Sequence, residues 1–511
     1  MSNIHFVMTI YSHHFIIGKI SPVGRMLCNK FASRYVQYGL VPGGGMMHRQ
    51  ALKVFAAANN DRTEFRFHIN QLSDWYKLLL QYGYDNPTLY KTIKPGIKPT
   101  VDTHYVVDAK WKPRDYQIPI IEYLSKPLPV CKLVGLQTGS GKTASALMAI
   151  EKIQKMPCII VKPAYIEKWT EDLIKTYNLK LEDIMVIQGG KHLTAFLTKV
   201  AEGSLEYKAI IISNKTFQIW LTLYEKHKED TLEMGYVIHP HQFFEHANCG
   251  VRLIDEVHQD FHFNFKLDLY TNVEYAISLS ATLITADPFL RTMHDIAYPI
   301  KDRCPSPPIL KYIHSYAVHY RFHKPDKIKT SEYGSKNYSH GAVEKSILKH
   351  VPTTNAYLDL INYVLCIGYM KSKKEGKRCI IFAYSVDMCT KISDYLKKMY
   401  PDYIVNRYVS EDDYNNLMQS DIIVSTLGSA GTAVDIPDLT NVILTTAIDS
   451  IQSNVQSLGR LRMLDNGDTA TEFHYFVCDD VPKHLEYHSR KKIMLAERAK
   501  TFIDVYSGYV I

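Results

Sequence analysis

The sequence lacks the features that mark membrane, secreted and repeat proteins. No apolar run approaches the roughly 18 residues that a membrane span requires. The N-terminus, MSNIHFVMTIYSHHF, has no basic leader followed by a small-residue cleavage site. The nine cysteines form no CxxC pair and have no regular spacing, which indicates reduced thiols and not a disulfide framework. These absences predict a globular protein of the cytoplasm.

Positive charge is in only small excess over negative charge. The 511 residues carry a net charge of +8 with 22 further histidines, which favours a polyanionic partner but does not establish one. Apolar residues make up 46% and charged residues 22%, as in ordinary globular proteins, so disorder is not expected. A chain of this length is too long for one core and predicts two to four domains.

The distribution of apolar runs predicts three domains. Residues 1–100 mix short alternating stretches with one helical pattern, which indicates a small α+β domain that ends in the Pro- and Lys-rich linker KTIKPGIKPTVDT. Over 101–310, apolar runs such as CKLVGL, PCIIVKP and GVRLIDE alternate with helix-length amphipathic stretches. The alternation restarts over 311–511 with RCIIFAY, DIIVST and NVILTT, and HLEYHSRKKIMLAERAKTFIDVY predicts a terminal helix. This pattern is typical of parallel sheets covered by helices on both faces.

The stretch LVGLQTGSGKTASALMAI predicts a phosphate-binding loop between a strand and a helix. The residues that match the second half of the P-loop signature are Gln137, Thr138, Gly139, Ser140, Gly141, Lys142 and Thr143. Glycines let backbone N–H groups converge on phosphate oxygens, and the helix dipole adds to the attraction. Lys142 would reach the β and γ phosphates of ATP, and Thr143 would ligate Mg²⁺. Leu136 replaces the usual first glycine, so a glycine turn without a ligand is the alternative interpretation.

The stretch VRLIDEVH places two carboxylates directly after an apolar run. Asp255 at the end of a strand beside a phosphate loop could hold Mg²⁺ through water, and Glu256 could orient and deprotonate the attacking water. The alternative interpretation is that these carboxylates lie in a solvated turn, but the following His258 favours the functional interpretation. Downstream, SLSATLI carries Ser280 and Thr282, two small hydroxyl side chains that become informative only in combination with the other motifs.

The order of these motifs resembles superfamily 2 helicases and translocases over residues 111–465. The series runs WKPRDYQ, the phosphate loop, IIVKPAYIEKW, DEVH, SAT, IIFAYS, STLGSAGTAVDIP and QSLGRLR. The resemblance implies two tandem RecA-like parallel-sheet motor domains behind the small α+β domain, with an activity of nucleic-acid-stimulated ATP hydrolysis.

The resemblance also implies roles for individual residues. Gln117 would read adenine, and His258 would couple the nucleotide site to Ser280 and Thr282. Lys162, Pro163 and Thr426 match positions that lie along a nucleic-acid backbone. The residues implied to contact the nucleotide from the second motor domain, or to close on its γ-phosphate, are Asp435, Gln456, Arg460 and Arg462.

Two departures from the family pattern leave details open. The last motif usually has its two arginines three apart, whereas Arg460 and Arg462 are two apart and Met463 takes the expected place, so either could be the arginine finger. Ala433 also replaces the usual glycine ahead of Asp435, which makes close backbone approach there less certain.

A finer resemblance is to the UvsW type of phage branch-migration DNA helicase. It is carried by FHINQLSDWYKLLLQYGY, YRFHKPDKIKTSEYGSK, RYVSEDD and HLEYHSRKKI over nearly the whole chain. It implies an ATP-driven monomer that remodels forks, Holliday junctions and R- or D-loops in replication, recombination or repair, possible recombination or replication proteins as partners, and the host cytoplasm as location. Residues 1–95 would grip DNA, although a role only in stabilising the motor is an alternative. An RNA-directed helicase or transcript-release ATPase, and a clamp that binds ATP without multiple turnover, are the other candidate functions.

Overall fold

The computed structural model describes most of the chain. The described residues are 4–511 except 44–45, 85, 87–88, 137–139, 205, 281–286, 306–310, 335–336, 372–375, 410–411, 414, 431–435, 450–453, 455–456, 459–460 and 462–470. They form two compact units: Met1–Leu136 with Gly141–Pro307, and a second unit that consists mainly of Pro308–Ile511. In this described part of the chain, no helix combines the length and apolar character needed to cross a bilayer.

The first 93 residues form a small mixed sheet with two helices. Its strands are β1 (Phe6–Ile10), β2 (His14–Gly18), β5 (Ala57–Ala58), β6 (Phe65–His68) and β7 (Tyr90–Ile93), in the order β5-β6-β2-β1-β7. Only β1 and β7 are parallel. The helices are Pro22–Ala32 and Leu72–Gln81, and β3 (Val36–Gly43) and β4 (Met46–Val54) form a separate antiparallel hairpin, called here the 36–54 hairpin.

A second sheet in the first unit has six strands, all parallel. Its strands are β8 (Cys131–Gly135), β9 (Pro157–Val161), β10 (Ile184–Ile187), β11 (Ala209–Ser213), β12 (Val251–Ile254) and β13 (Tyr275–Ser280), in the order β10-β11-β9-β12-β13-β8. The accompanying helices are Ile118–Ser125, Lys142–Ile153, Ile166–Tyr177, Gly190–Ala201, Asn214–His227, Phe243–His246, Phe261–Asp268 and Pro288–Ala297. Neighbouring residues of a strand pack into different apolar cores. Leu133 of β8 and Ile160 of β9 belong to one core, whereas their neighbours Val134 and Ile159 belong to the other. Burial on both faces explains why these strands read as continuous apolar runs.

The second unit repeats this construction in a seven-stranded parallel sheet. Its strands are β14 (Ile313–Arg321), β15 (Arg378–Ala383), β16 (Val405–Tyr408), β17 (Ile422–Thr426), β18 (Leu439–Leu444), β19 (Thr471–Cys478) and β20 (Ala499–Val510), in the order β16-β17-β15-β18-β19-β14-β20. The helices are His340–Leu348, Val351–Leu365, Val386–Met399, Asn415–Gln419, Leu427–Ala430 and Pro482–Arg498. The predicted α/β fold class, two tandem parallel-sheet domains after a small α+β domain, is confirmed.

The C-terminal segment differs from its sequence-based prediction. The predicted terminal helix ends at Arg498, and the following residues form the edge strand β20, which pairs in parallel with β14. The strand contains the β-branched residues Thr501, Ile503 and Val505, which favour extended backbone, and its partner supplies a ladder of hydrogen bonds. A pairing with a strand almost 190 residues earlier has no signal in the local sequence.

The N-terminal sheet shares its core with the first parallel-sheet domain. Phe55 packs edge-on against Phe265, with ring centroids 5.0 Å apart, and the Asn70 amide donates to the carbonyl of Ile296 at 2.9 Å. Phe6, Phe67 and Trp75 belong to the same continuous apolar cluster as side chains of β8, β9 and β11. Residues 1–93 are therefore not an appendage on a linker but part of one packed body.

A buried ionic cluster lies within this shared core. Asp268 accepts from His68 of β6 at 3.2 Å and pairs with Arg252 of β12 at 2.5 Å. Arg252 also donates to the Thr271 hydroxyl at 2.7 Å. All three charged or ionisable side chains are at most 1% exposed. The Arg252 and His68 contacts outweigh the effect of burial and hold the pKa of Asp268 far below its usual value, so the carboxylate is ionised.

Candidate nucleotide site

The site lies at the carboxyl edge of the first parallel sheet. In a parallel sheet the carboxyl ends of all strands meet at one edge, where ligands bind in many α/β folds. Gly135 of β8 is in register with Ser280 of β13, and Ile254 of β12 with Ile160 of β9. The loops that follow β8, β9, β12 and β13 therefore emerge side by side, which brings four separate motifs of the sequence together.

The helix after the phosphate-loop motif begins as the sequence predicts. Gly141 has a φ of 77°, the left-handed conformation that glycine adopts most easily, and Lys142 is the first residue of the helix Lys142–Ile153. A helix N-terminus carries partial positive charge and unpaired N–H groups. Thr143 follows in the first turn, and the described Ser140 precedes Gly141. The predicted contacts of Thr138 and Gly139 lie outside the described residues.

Lys142 and Glu256 form an ion pair across the site. Their Nζ and Oε1 atoms are 3.2 Å apart, and both side chains are largely buried, at 11% and 18% exposed. Glu256 has a φ of 50°, a left-handed conformation that costs a non-glycine residue roughly 1–2 kcal/mol. Strained backbone at a charged residue is characteristic of functional sites. An arriving phosphate would compete with Glu256 for Lys142 and release the carboxylate towards water.

Asp255, the residue before Glu256, is held by a contact that the sequence did not indicate. The Trp169 indole donates to its Oδ2 at 3.0 Å, and Oδ1 accepts from the Glu256 backbone N–H at 2.9 Å. Burial and the neighbouring Glu256 carboxylate raise the pKa of Asp255, against the opposing charge of Lys142. A desolvated pair of carboxylates beside a lysine is an arrangement that a divalent cation would stabilise. The residues thus fit Mg²⁺, which Asp255 and Thr143 would hold.

His258 connects the carboxylates to β13. Its Nδ1 lies 2.7 Å from the Ser280 hydroxyl and 3.4 Å from Oε2 of Glu256. Burial lowers the pKa of His258, so the imidazole is neutral at pH 7 and one ring nitrogen is available as an acceptor. The coupling role of His258 and Ser280 stays a prediction, and Thr282 lies outside the described residues.

Gln117 lies against the phosphate-loop helix, with its amide already engaged. Its Nε2 donates to the Gly141 carbonyl and to the Ser145 hydroxyl, each at 3.2 Å, and its Oε1 accepts from the Arg114 backbone at 2.8 Å. A Cβ atom on Gly141 would come within 2.4 Å of the Gln117 amide, so a larger residue there would displace the flexible end of Gln117, in addition to the strain of the left-handed backbone. Adenine reading by Gln117 stays a prediction, and it would require these contacts to rearrange.

The predicted backbone-contacting residues follow strands in both units. Lys162 and the exposed Pro163 come directly after β9, next to the site. Thr426 ends β17 of the second unit, where its hydroxyl accepts from the Ser429 backbone at 3.2 Å. Their nucleic-acid contacts stay predictions. The four residues predicted to reach the nucleotide from the second domain lie outside the described residues: Asp435, Gln456, Arg460 and Arg462.

The comparisons with known proteins are at the level of fold. No protein-family model and no curated protein matches this sequence. The helicase domain of Hef from Pyrococcus furiosus is 14% identical, with 74% of this chain and 98% of that chain covered and a TM-score of 0.47. T4 UvsW is 14% identical over 98% of this chain and 100% of that one, with a TM-score of 0.34. S. cerevisiae Dbp5, solved with RNA and ADP BeF3, is 12% identical over 77% and 90%, with a TM-score of 0.49. The likeness to these structures concerns the fold alone.

Proposed function

We propose that the chain is an ATP-dependent DNA translocase or helicase that remodels branched DNA. The observation that carries the proposal is the convergence of Lys142, Asp255, Glu256 and the His258–Ser280 contact at one sheet edge. Lysine and Mg²⁺ would neutralise phosphate charge, and Glu256 would accept the proton of the attacking water. The arginines of the second domain would complete the site, so that hydrolysis depends on closure of the two domains.

The distribution of charge supports nucleic acid as the partner. Residues 1–95 contain eleven Lys and Arg against four Asp and Glu, a net charge of +7, so the remaining 416 residues contribute only +1. Basic charge concentrated in one small domain is characteristic of phosphate-backbone binding. This supports the predicted role of the N-terminal domain in gripping DNA, in addition to its packing against the motor.

The 36–54 hairpin is the part of this domain best suited to DNA. The Arg49 guanidinium lies over the Tyr38 ring, 4.3 Å from its centroid, and both side chains are exposed. Leu40 and Leu52 are also exposed, at 66% and 54%. Apolar and aromatic side chains beside a guanidinium can stack on unpaired bases while the charge binds phosphate, which suits a strand-separating element at a branch point.

Migration of a synthetic four-way junction tests the proposal. Wild type should convert the junction to duplex products with ATP, and Lys142→Ala should not, because it lacks the cation that binds the transferred phosphate. Lys152→Ala is the matched control, since Lys152 is an exposed lysine of the same helix. No junction conversion by wild type, together with unwinding of structured RNA, would replace this function with the RNA-directed alternative.

The grip of the N-terminal domain is tested by a point substitution and not by truncation, because removal of residues 1–95 would expose the shared core. Arg49→Gln should weaken junction binding and reduce its salt dependence by about one phosphate contact. Lys77→Gln is the control, because Lys77 pairs with Asp74 on the surface of a helix of the same domain. Equal effects of the two substitutions would argue for non-specific charge and against the hairpin.

The nine free thiols, eight of them buried, support the proposed cytoplasmic location.

A further inference from the structure

A group of three metal-ligating side chains lies in the second unit, on elements that the proposed chemistry does not use. His319 belongs to β14, His488 to the helix Pro482–Arg498, and Asp504 to the edge strand β20. One ligand atom from each residue lies within 4.8 Å of the other two. The three residues are separated by up to 185 positions, so only the fold brings them together.

The distances within this group suit a shared ion and not hydrogen bonds. Oδ1 of Asp504 is 3.5 Å from Nε2 of His319 and 3.4 Å from Nε2 of His488. Hydrogen bonds between nitrogen and oxygen are about 2.7–3.2 Å long. Ligands about 2.0–2.1 Å from a tetrahedral Zn²⁺ ion are about 3.3–3.4 Å from one another. Both of these nitrogen–oxygen separations match the spacing of two ligands around a zinc ion.

The remaining atoms of these ligands are already bound in the manner of an outer shell. Nδ1 of His319 lies 2.7 Å from an Asp479 carboxylate oxygen, and Nδ1 of His488 lies 2.9 Å from the Tyr475 hydroxyl. These contacts fix the orientation of each ring and leave Nε2 to face the centre of the group. A carboxylate behind a histidine is the common second partner of a metal ligand.

Two atoms that face this centre are buried without a hydrogen-bond partner in the described part of the chain. They are Nε2 of His319, whose side chain is 6% exposed, and Oδ1 of Asp504. Buried polar atoms are rarely left unpaired, because each costs the desolvation of that atom. A bound cation would satisfy both at once. Asp504 and His488 are 25% and 12% exposed, so solvent can reach the group and supply a fourth ligand.

The surrounding charges permit a dication. The Lys492 ammonium binds the other oxygen of Asp504 at 2.9 Å. Burial lowers the pKa of the nearby Lys491 to about 7, so that lysine is partly uncharged at neutral pH. The carboxylates of Asp504 and Asp479 then outnumber the one full positive charge of Lys492.

We propose that His319, His488 and Asp504 form a zinc site that fastens the C-terminal helix and the edge strand β20 to β14. Two imidazoles and one carboxylate are ligands that Zn²⁺ accepts readily. The long β20 presents an unpaired edge, and a metal that joins three elements would hold it in register. The site belongs to the second unit alone, so it does not depend on the proposed motor function.

Zinc titration of the full-length, chelator-treated protein tests the site. Wild type should bind one Zn²⁺ per chain by calorimetry and should melt at a higher temperature with the metal. His488→Gln and Asp504→Asn should each weaken binding by at least about 100-fold and abolish the thermal shift, and Asp479→Asn should weaken it by about 10–100-fold. Co²⁺ in place of zinc should give the visible absorption of a tetrahedral site in wild type and not in the His488→Gln and Asp504→Asn variants.

The matched control is His314→Gln. His314 also lies on β14 and contacts β20, through a 2.7 Å hydrogen bond to Thr501, but among the described residues it belongs to no group of metal-ligating side chains. The His314→Gln variant should bind zinc as wild type does. Each variant is first melted without metal, so that a loss of binding is not mistaken for a loss of folding. Absence of stoichiometric binding by wild type, or equal binding by the His488→Gln variant, would overturn the proposal.

Discussion

The ionic cluster in the shared core gives the sharpest test of how the N-terminal domain is held. Asp268→Asn keeps the size of the side chain and removes its charge, which leaves the buried Arg252 guanidinium without a carboxylate and weakens the contact to His68. Removing one partner of a buried ion pair costs about 3–5 kcal/mol, because the other charge stays desolvated. At about 2.1 cal/mol/K of unfolding entropy per residue, a unit of roughly 300 residues loses about 1.5 °C of melting temperature per kcal/mol, so the fall should be about 5–8 °C.

Intrinsic fluorescence can follow this unit by itself. All four tryptophans of the chain, Trp75, Trp111, Trp169 and Trp220, lie in the first unit. A thermal melt recorded by tryptophan emission therefore reports the unit that contains the cluster. The double variant Arg252→Met with Asp268→Leu should recover much of the loss, since it leaves no unpaired charge. Asp74→Asn, which breaks an exposed ion pair with Lys77, is the control and should melt as wild type does.

The pH dependence of this effect has a defined sign. The pKa of Asp268 is lowered by folding, so its contribution is fully present above the unfolded value of about 3.9 and is lost as the pH falls below that value. Wild type and Asp268→Asn should therefore differ most at neutral pH and converge in strong acid. A melting temperature of Asp268→Asn within about 2 °C of wild type at pH 7, roughly the error of such a melt, would refute the reasoning.

Three further substitutions test the nucleotide site. Glu256→Gln should bind ATP and yet hydrolyse it about 10²–10⁴-fold more slowly, because the base is lost; normal turnover in a steady-state assay would show that Glu256 is not the base. Trp169→Phe should raise the Mg²⁺ concentration needed for half-maximal ATPase, because Asp255 loses its indole donor; an unchanged Mg²⁺ titration would remove that role. His258→Ala, which loses the contact to Ser280, should reduce stimulation of the ATPase by DNA more than the basal rate, and an equal reduction of both would contradict the coupling role.

The sheets were predictable because their signal is local. A strand buried on both faces must be apolar at every position, so runs such as PCIIVKP and RCIIFAY indicate parallel strands without any knowledge of their neighbours. The phosphate loop is similarly local, since glycines, Lys142 and the following helix are contiguous in the chain. Asp255 and Glu256 were found because they directly follow such a strand, and the parallel arrangement then places them beside Lys142.

The contacts that were missed are between distant residues of ordinary type. Trp169 reads as the apolar side of an amphipathic helix, and nothing in its neighbourhood indicates that its indole N–H binds Asp255. His68 and Asp268 are 200 residues apart, and their pairing depends on how the N-terminal sheet packs on the first parallel-sheet domain. The strand β20 was mistaken for helix because the helical pattern before it has no proline or glycine stop, while its partner β14 lies far away in sequence.

The most direct test of the central claim is the steady-state ATPase rate at fixed salt with different nucleic acids. The rate is measured without cofactor and then with single-stranded DNA, linear duplex, a four-way junction and structured RNA. A motor for branched DNA predicts stimulation by DNA that is strongest with the junction and absent in Glu256→Gln. Hydrolysis that no nucleic acid stimulates would leave the nucleotide site in place and contradict the claim that this chain is a nucleic-acid motor.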